Sequence, residues 1–142
     1  MSHVMKQSEE RTARNGVDLH RLVMPERGLV IRQPHIGKIL DGDKTWEMRS
    51  RPTKIRGRIG LIEAGSGLVV GEAEIVRMQE APKTFRARYM TRYYHRLPEE
   101  RYSAMDKWCW AWVLENAISY DTPIPYEHPQ GAVIWVSLHN SN

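Results

Sequence analysis

The chain has 142 residues, of which 41% are hydrophobic and 27% charged, the balance expected of a globular chain with one modest core. No apolar run approaches the roughly 20 residues of a membrane helix, and residues 1–27 lack the apolar stretch of a secretory leader. The single Cys109 excludes an internal disulfide, and its place between Trp108 and Trp110 suits a buried, inert thiol; a reducing, cytoplasmic setting fits.

Charge is distributed unevenly along the chain, whose net charge is +4. Residues 27–58 carry nine basic and three acidic groups, and residues 81–106 carry six and three. If these two basic segments converge in space they form a surface that attracts phosphate. If they point apart they are solvated faces.

Residues 1–27 read as a polar tail and residues 28–140 as one domain. Gly28–Arg32 predicts a first strand. Pro34 suits the first turn of a helix, because its missing N–H has no partner there in any case. Ile36, Ile39 and Leu40 then share one helical face. Asp41-Gly42-Asp43 stops that helix, with Gly42 in the left-handed cap. Alternation over Thr45–Arg49 predicts a strand with Trp46 and Met48 on one face and Thr45, Glu47 and Arg49 on the other. Arg58–Ala64 predicts the next strand, and Gly65-Ser66-Gly67 turns the chain into a long strand over Leu68–Met78. Gly71 inside that strand marks a bulge or bend. Lys83–Arg96 has helical character with interleaved arginines and tyrosines, and Pro98 opens a second short helix. Trp108–Leu114, Pro123–Tyr126 and Ala132–Leu138 predict the remaining strands. The pattern is α+β: a small, partly open β-barrel of five to seven strands flanked by helices.

Three blocks in order carry a family resemblance. Arg32-Gln33-Pro34-His35 is followed by Gly42-Asp43-Lys44-Thr45-Trp46-Glu47-Met48-Arg49, and then by Arg56-Gly57-Arg58. This series resembles the ASCH domain, a barrel of the PUA-like class. Leu68–Ala73 is similar to that family's glycine-bearing central strand, and Trp110–Asn116 to its late tryptophan-containing strand. The resemblance covers about residues 28–138. It implies that Lys44, Glu47 and Arg49 line a cleft between the barrel and the first helix, where the residues alone allow an exposed polar face with Glu47 paired to Arg49 or Arg51.

Candidate binding residues follow from the same segment. Arg32, Gln33 and His35 stand where backbone N–H groups favour an anion, and Gln33 both donates and accepts. Arg51, Lys54, Arg56 and Arg58 suit a rim that contacts phosphate. Trp108, Trp110 and Trp112 alternate, as a barrel-core layer or as a platform on which unpaired bases stack; the family position favours Trp112 for the second role. No metal-ligating spacing and no phosphate-cradling glycine loop occurs, so neither metal nor cofactor is expected.

What the resemblance implies for function divides three ways. Binding of RNA or a nucleotide-like ligand in a basic cleft, in RNA metabolism or transcription regulation, ranks first. Hydrolysis is the alternative, because some ASCH proteins are amidohydrolases of N4-acylated cytidines and others ribonucleases. In the amidohydrolases a threonine three positions after the lysine is the nucleophile. Here Glu47 stands at that position, which leaves Lys44 and Glu47 as the candidate electrostatic stabiliser and general base. A protein-interaction module in transcription coactivation is third. The sequence leaves the oligomeric state open.

Overall fold

The computed structural model of the protein describes residues 24–81 and 108–139. Its elements are β1 (Arg27–Ile31), α1 (His35–Leu40), β2 (Trp46–Arg49), β3 (Gly57–Glu63), β4 (Leu68–Glu80), β5 (Trp110–Pro125) and β6 (Trp135–Ser137). The six strands form one curled sheet, a half-barrel in the order β2-β5-β4-β3-β1-β6. Only β1 and β3 run parallel, and α1 with β2 makes the connection between them. Every other pair is antiparallel, and of these only β3 and β4 are joined by a short turn.

Period-2 alternation divides the apolar residues between the two faces of the sheet. Leu29, Ile31, Ile59, Leu61, Ile75 and Leu114 pack with Ile36 and Ile39 of α1 on one face. Ile62, Val69, Tyr120 and Val136 pack on the other, joined by Leu138. The six-residue helix is too short to stand on its own propensity. It is held by burial of Ile36 and Ile39, each worth roughly 1.5–3 kcal/mol. Gly42 ends it with φ at 85°, the left-handed position the sequence assigns to it.

Gly71 is fixed by space. A Cβ there would lie 2.3 Å from the Ile118 carbonyl oxygen and 2.6 Å from Leu40 Cδ2. The β4–β5 register shifts at this point, between Val69 and Gly71, so the bulge expected from the glycine is present.

Three expectations need correction. Residues 110–125 form one continuous strand, where the sequence suggests two strands separated by a polar stretch. Hydrogen bonding to β4 carries the chain through Glu115–Thr122 across repeated register shifts, and Asn116 takes a positive φ of 55° there. The last strand is only Trp135–Ser137. Cys109 is half-buried rather than enclosed. The expected helices at Lys83–Arg96 and after Pro98, and the polar tail up to residue 23, lie outside the described residues. No helix among the described residues is long and apolar enough to cross a membrane.

Candidate functional site

The β1–α1–β2 segment builds the site. β1 ends at Ile31, and the chain turns through Arg32, Gln33 and a cis Gln33–Pro34 bond into α1. The first donors of the helix are used within the segment: Ile36 N–H bonds the Arg32 carbonyl, Lys38 N–H bonds the Pro34 carbonyl, and Gly37 N–H donates to Gln33 Oε1 at 3.2 Å. The anion site expected at this helix start is therefore replaced by self-capping. After α1, Lys44 N–H donates to the Lys38 carbonyl at 3.0 Å, which aims the Lys44 side chain back under the helix. Alternation along β2 then places Glu47 and Arg49 beside it.

These residues form one network. Lys44, only 3% exposed, donates from Nζ to His35 Nδ1 at 2.8 Å and to Glu47 Oε1 at 3.3 Å. Glu47, 6% exposed, accepts from Arg49 Nε on its other oxygen at 3.0 Å. Arg49 also donates to the Val30 carbonyl at 2.9 Å, and its guanidinium lies 5.5 Å above the Trp112 ring. Desolvation drives the electrostatics. Burial pushes the Lys44 ammonium below the usual lysine range, against the opposing pull of Glu47. His35 is lowered to about 4, first by burial and then by the Lys44 charge, so its ring is neutral near pH 7. Because Nδ1 accepts from Lys44, the ring proton resides on Nε2.

This network forms the floor of a cleft of about 970 Å³. Arg32, Gln33 and Arg51 stand exposed at its lip. The lining also has an aromatic and apolar part: Trp108, Trp135, and the loop carrying Ala132, Val133 and Ile134. Val133 is 73% exposed, a large apolar side chain left in water at the mouth. His128 fixes that loop: Tyr126 Oη donates to its Nδ1 at 2.6 Å, and its Nε2 donates to the Ala132 carbonyl at 2.8 Å.

Nine of the residues singled out in the sequence thus meet at one cleft: Arg32, Gln33, His35, Lys44, Glu47, Arg49, Arg51, Trp108 and Trp112. Trp112 forms part of the core floor: it is 4% exposed, stacks on Trp135 with ring centres 5.8 Å apart, and donates Nε1–H to the Arg51 carbonyl. Arg49 also lies against its ring, so the half-buried Trp108 and Trp135 offer the accessible indole surface. Arg56, Arg58 and Lys54 are not brought to the cleft. Arg56 donates to the Thr53 and Ile55 carbonyls, and Arg58 pairs with the buried Glu72 at 2.8 Å. Trp135, His128, Val133 and Ile134 were missed because they reach the site through the β1–β6 pairing, a contact across more than a hundred residues with no local signal. Among the described residues, no cluster of His, Cys, Asp or Glu could hold a metal ion.

A curled half-barrel whose first helix and second strand floor a basic, tryptophan-walled cleft defines a small PUA-like domain. The family model for the ASCH domain matches residues 29–124, and the chain belongs to the ASCH domain family. Among solved structures the chain is similar to the ASCH protein of Zymomonas mobilis, at 19% identity and a TM-score of 0.52, covering 80% of this chain and 87% of that one. Two single-substitution variants of the same protein align similarly. One has 18% identity and a TM-score of 0.54 over 82% of this chain and 92% of that one; the other has 19% and 0.52 over 80% and 90%. A comparison with curated proteins finds no match.

Proposed function

We propose that this domain binds RNA or a nucleotide in the cleft, with the base against Trp108 and Trp135 and the phosphate toward Arg32 and Arg51. One observation carries the reading: exposed cations and half-buried tryptophans line a single cleft of nucleotide size. Cations supply the salt-dependent attraction to phosphate, and indole faces supply stacking worth about 1–3 kcal/mol per base. A cytoplasmic role in RNA metabolism fits this reading.

The test is a titration with a short oligoribonucleotide followed by tryptophan fluorescence. Affinity is expected to fall steeply between about 50 and 200 mM salt. Arg32→Ala combined with Arg51→Ala should weaken binding by about tenfold or more and flatten the salt slope by between one and two units, while Arg56→Ala should leave both unchanged. Affinity indifferent to salt, or to the Arg32/Arg51 pair, contradicts the reading.

A second reading, hydrolysis, is favoured by the Lys44 amine, which is buried, held below its usual range and in contact with both a carboxylate and a neutral imidazole. Turnover of N4-acetylcytidine that is lost in Lys44→Ala would establish it; no turnover by the wild type would leave binding alone.

A further inference from the structure

We propose that the cleft selects its ligand by hydrogen-bond polarity: it takes nucleotides whose base presents a carbonyl oxygen, such as uracil or hypoxanthine, over those with an amino group at the same position. This rests on the nucleotide-binding reading and deepens it. The central residue is Gln33. Its amide would ordinarily read either a donor or an acceptor, because it can rotate by half a turn. Here the Gly37 N–H donates to it, and an N–H can be met only by Oε1. The amide oxygen is thereby engaged, which leaves the NH₂ group as the end that donates. Residue 37 being glycine allows the approach, since a Cβ there would stand 3.0 Å from Gln33 Oε1.

Several acceptors among the described residues lining the cleft already accept from the protein itself. Glu47 gives one oxygen to Lys44 and the other to Arg49. The carbonyls of Val30, Arg51 and Ala132 accept from Arg49, Trp112 and His128, and both nitrogens of His128 are in use. Among the exposed residues of the lining, Gln33 offers its NH₂ and Arg32 and Arg51 their guanidinium groups as donors, while the Ser50 hydroxyl can donate or accept. An exocyclic amino group placed against these donors meets no acceptor and loses its water, whereas a carbonyl oxygen in the same place is satisfied. Discrimination of this kind is strong because the mismatch leaves polar groups unpaired.

The experiment is isothermal titration of the full chain with UMP against CMP, and IMP against AMP, at pH 7.5 and fixed ionic strength. Each pair exchanges an oxo for an amino group and, with it, a protonated for a bare neighbouring ring nitrogen. UMP and IMP are expected to bind about tenfold tighter than their counterparts. Gln33→Glu keeps an oxygen for the Gly37 N–H but replaces the NH₂ donor with an acceptor, so the UMP-to-CMP affinity ratio should fall toward one or invert. Equal binding of oxo and amino partners by the wild type overturns the inference and leaves nucleotide binding standing. A Gln33→Glu variant that weakens all four ligands alike with an unchanged ratio also overturns it, reducing Gln33 to a helix cap. No binding of any of the four up to about 1 mM refutes the nucleotide reading on which the inference rests.

Discussion

Among the described residues two carboxylates are buried, and the contrast between them separates support from site. Glu72 is 1% exposed, accepts from Tyr120 Oη at 2.8 Å on one oxygen and pairs with Arg58 at 2.8 Å on the other. Glu47 is 6% exposed and likewise has both oxygens engaged. Glu72 meets a phenol and an arginine, and none of the three residues lines the cleft. Around Glu47 the partners are a lysine depressed by burial, an arginine stacked on tryptophan, and through Lys44 a neutral histidine, all on a cleft floor. Burying a charge is costly unless it is paired. Both clusters meet that condition, but only the one at Glu47 lines the cleft.

The largest expected effect breaks the Glu72 cluster. Arg58→Ala leaves a buried carboxylate with one partner lost. Loss of a partner from a buried pair costs up to 3–5 kcal/mol, and the 37% exposure of the Arg58 side chain brings the expectation down to about 2 kcal/mol. Urea unfolding measures this, and RNA affinity should not change. A loss of affinity with unchanged stability would move Arg58 into the binding surface and dissolve the contrast.

A smaller effect comes from pH and belongs to the Glu47 side alone. Folded His35 resists protonation until about pH 4, whereas the unfolded chain takes up that proton near 6.5. Between these values the unfolded state binds more protons, so the contribution of His35 is complete above 6.5 and is lost as pH falls toward 4. Thermal unfolding at pH 7 and pH 5 should show the wild type losing more midpoint temperature than His35→Asn, whose amide oxygen can still accept from Lys44. Equal losses would mean that His35 titrates normally in the folded protein.

The sequence made the Glu47 side legible because its information is local. Alternation over residues 45–49 sets Glu47 and Arg49 on one face, and Gly42 marks where α1 must stop. What stayed hidden depends on contacts distant in the chain. Arg58 looked like another rim cation; only the β3–β4 register, with Arg58 opposite Glu74, reveals the diagonal to Glu72. Trp135 is unremarkable in its own segment and becomes a cleft wall because β6 pairs with β1 at Leu29. The break expected in β5 has the same origin. Glu115–Thr122 is polar and out of phase, and it is held as strand by β4 across register shifts that no local pattern encodes.

The central claim is that ligand enters on the Glu47 side between Arg32, Arg51 and Trp135. The most direct measurement is a ¹H–¹⁵N correlation spectrum of the full chain titrated with UMP. Shifts concentrated at the backbone amides of Arg32, Gln33 and Arg51 and at the Trp135 indole, with Arg58, Glu72 and Tyr120 unmoved, are the expected result. Shifts centred on Arg58 and Glu72, or none at millimolar nucleotide, would contradict it.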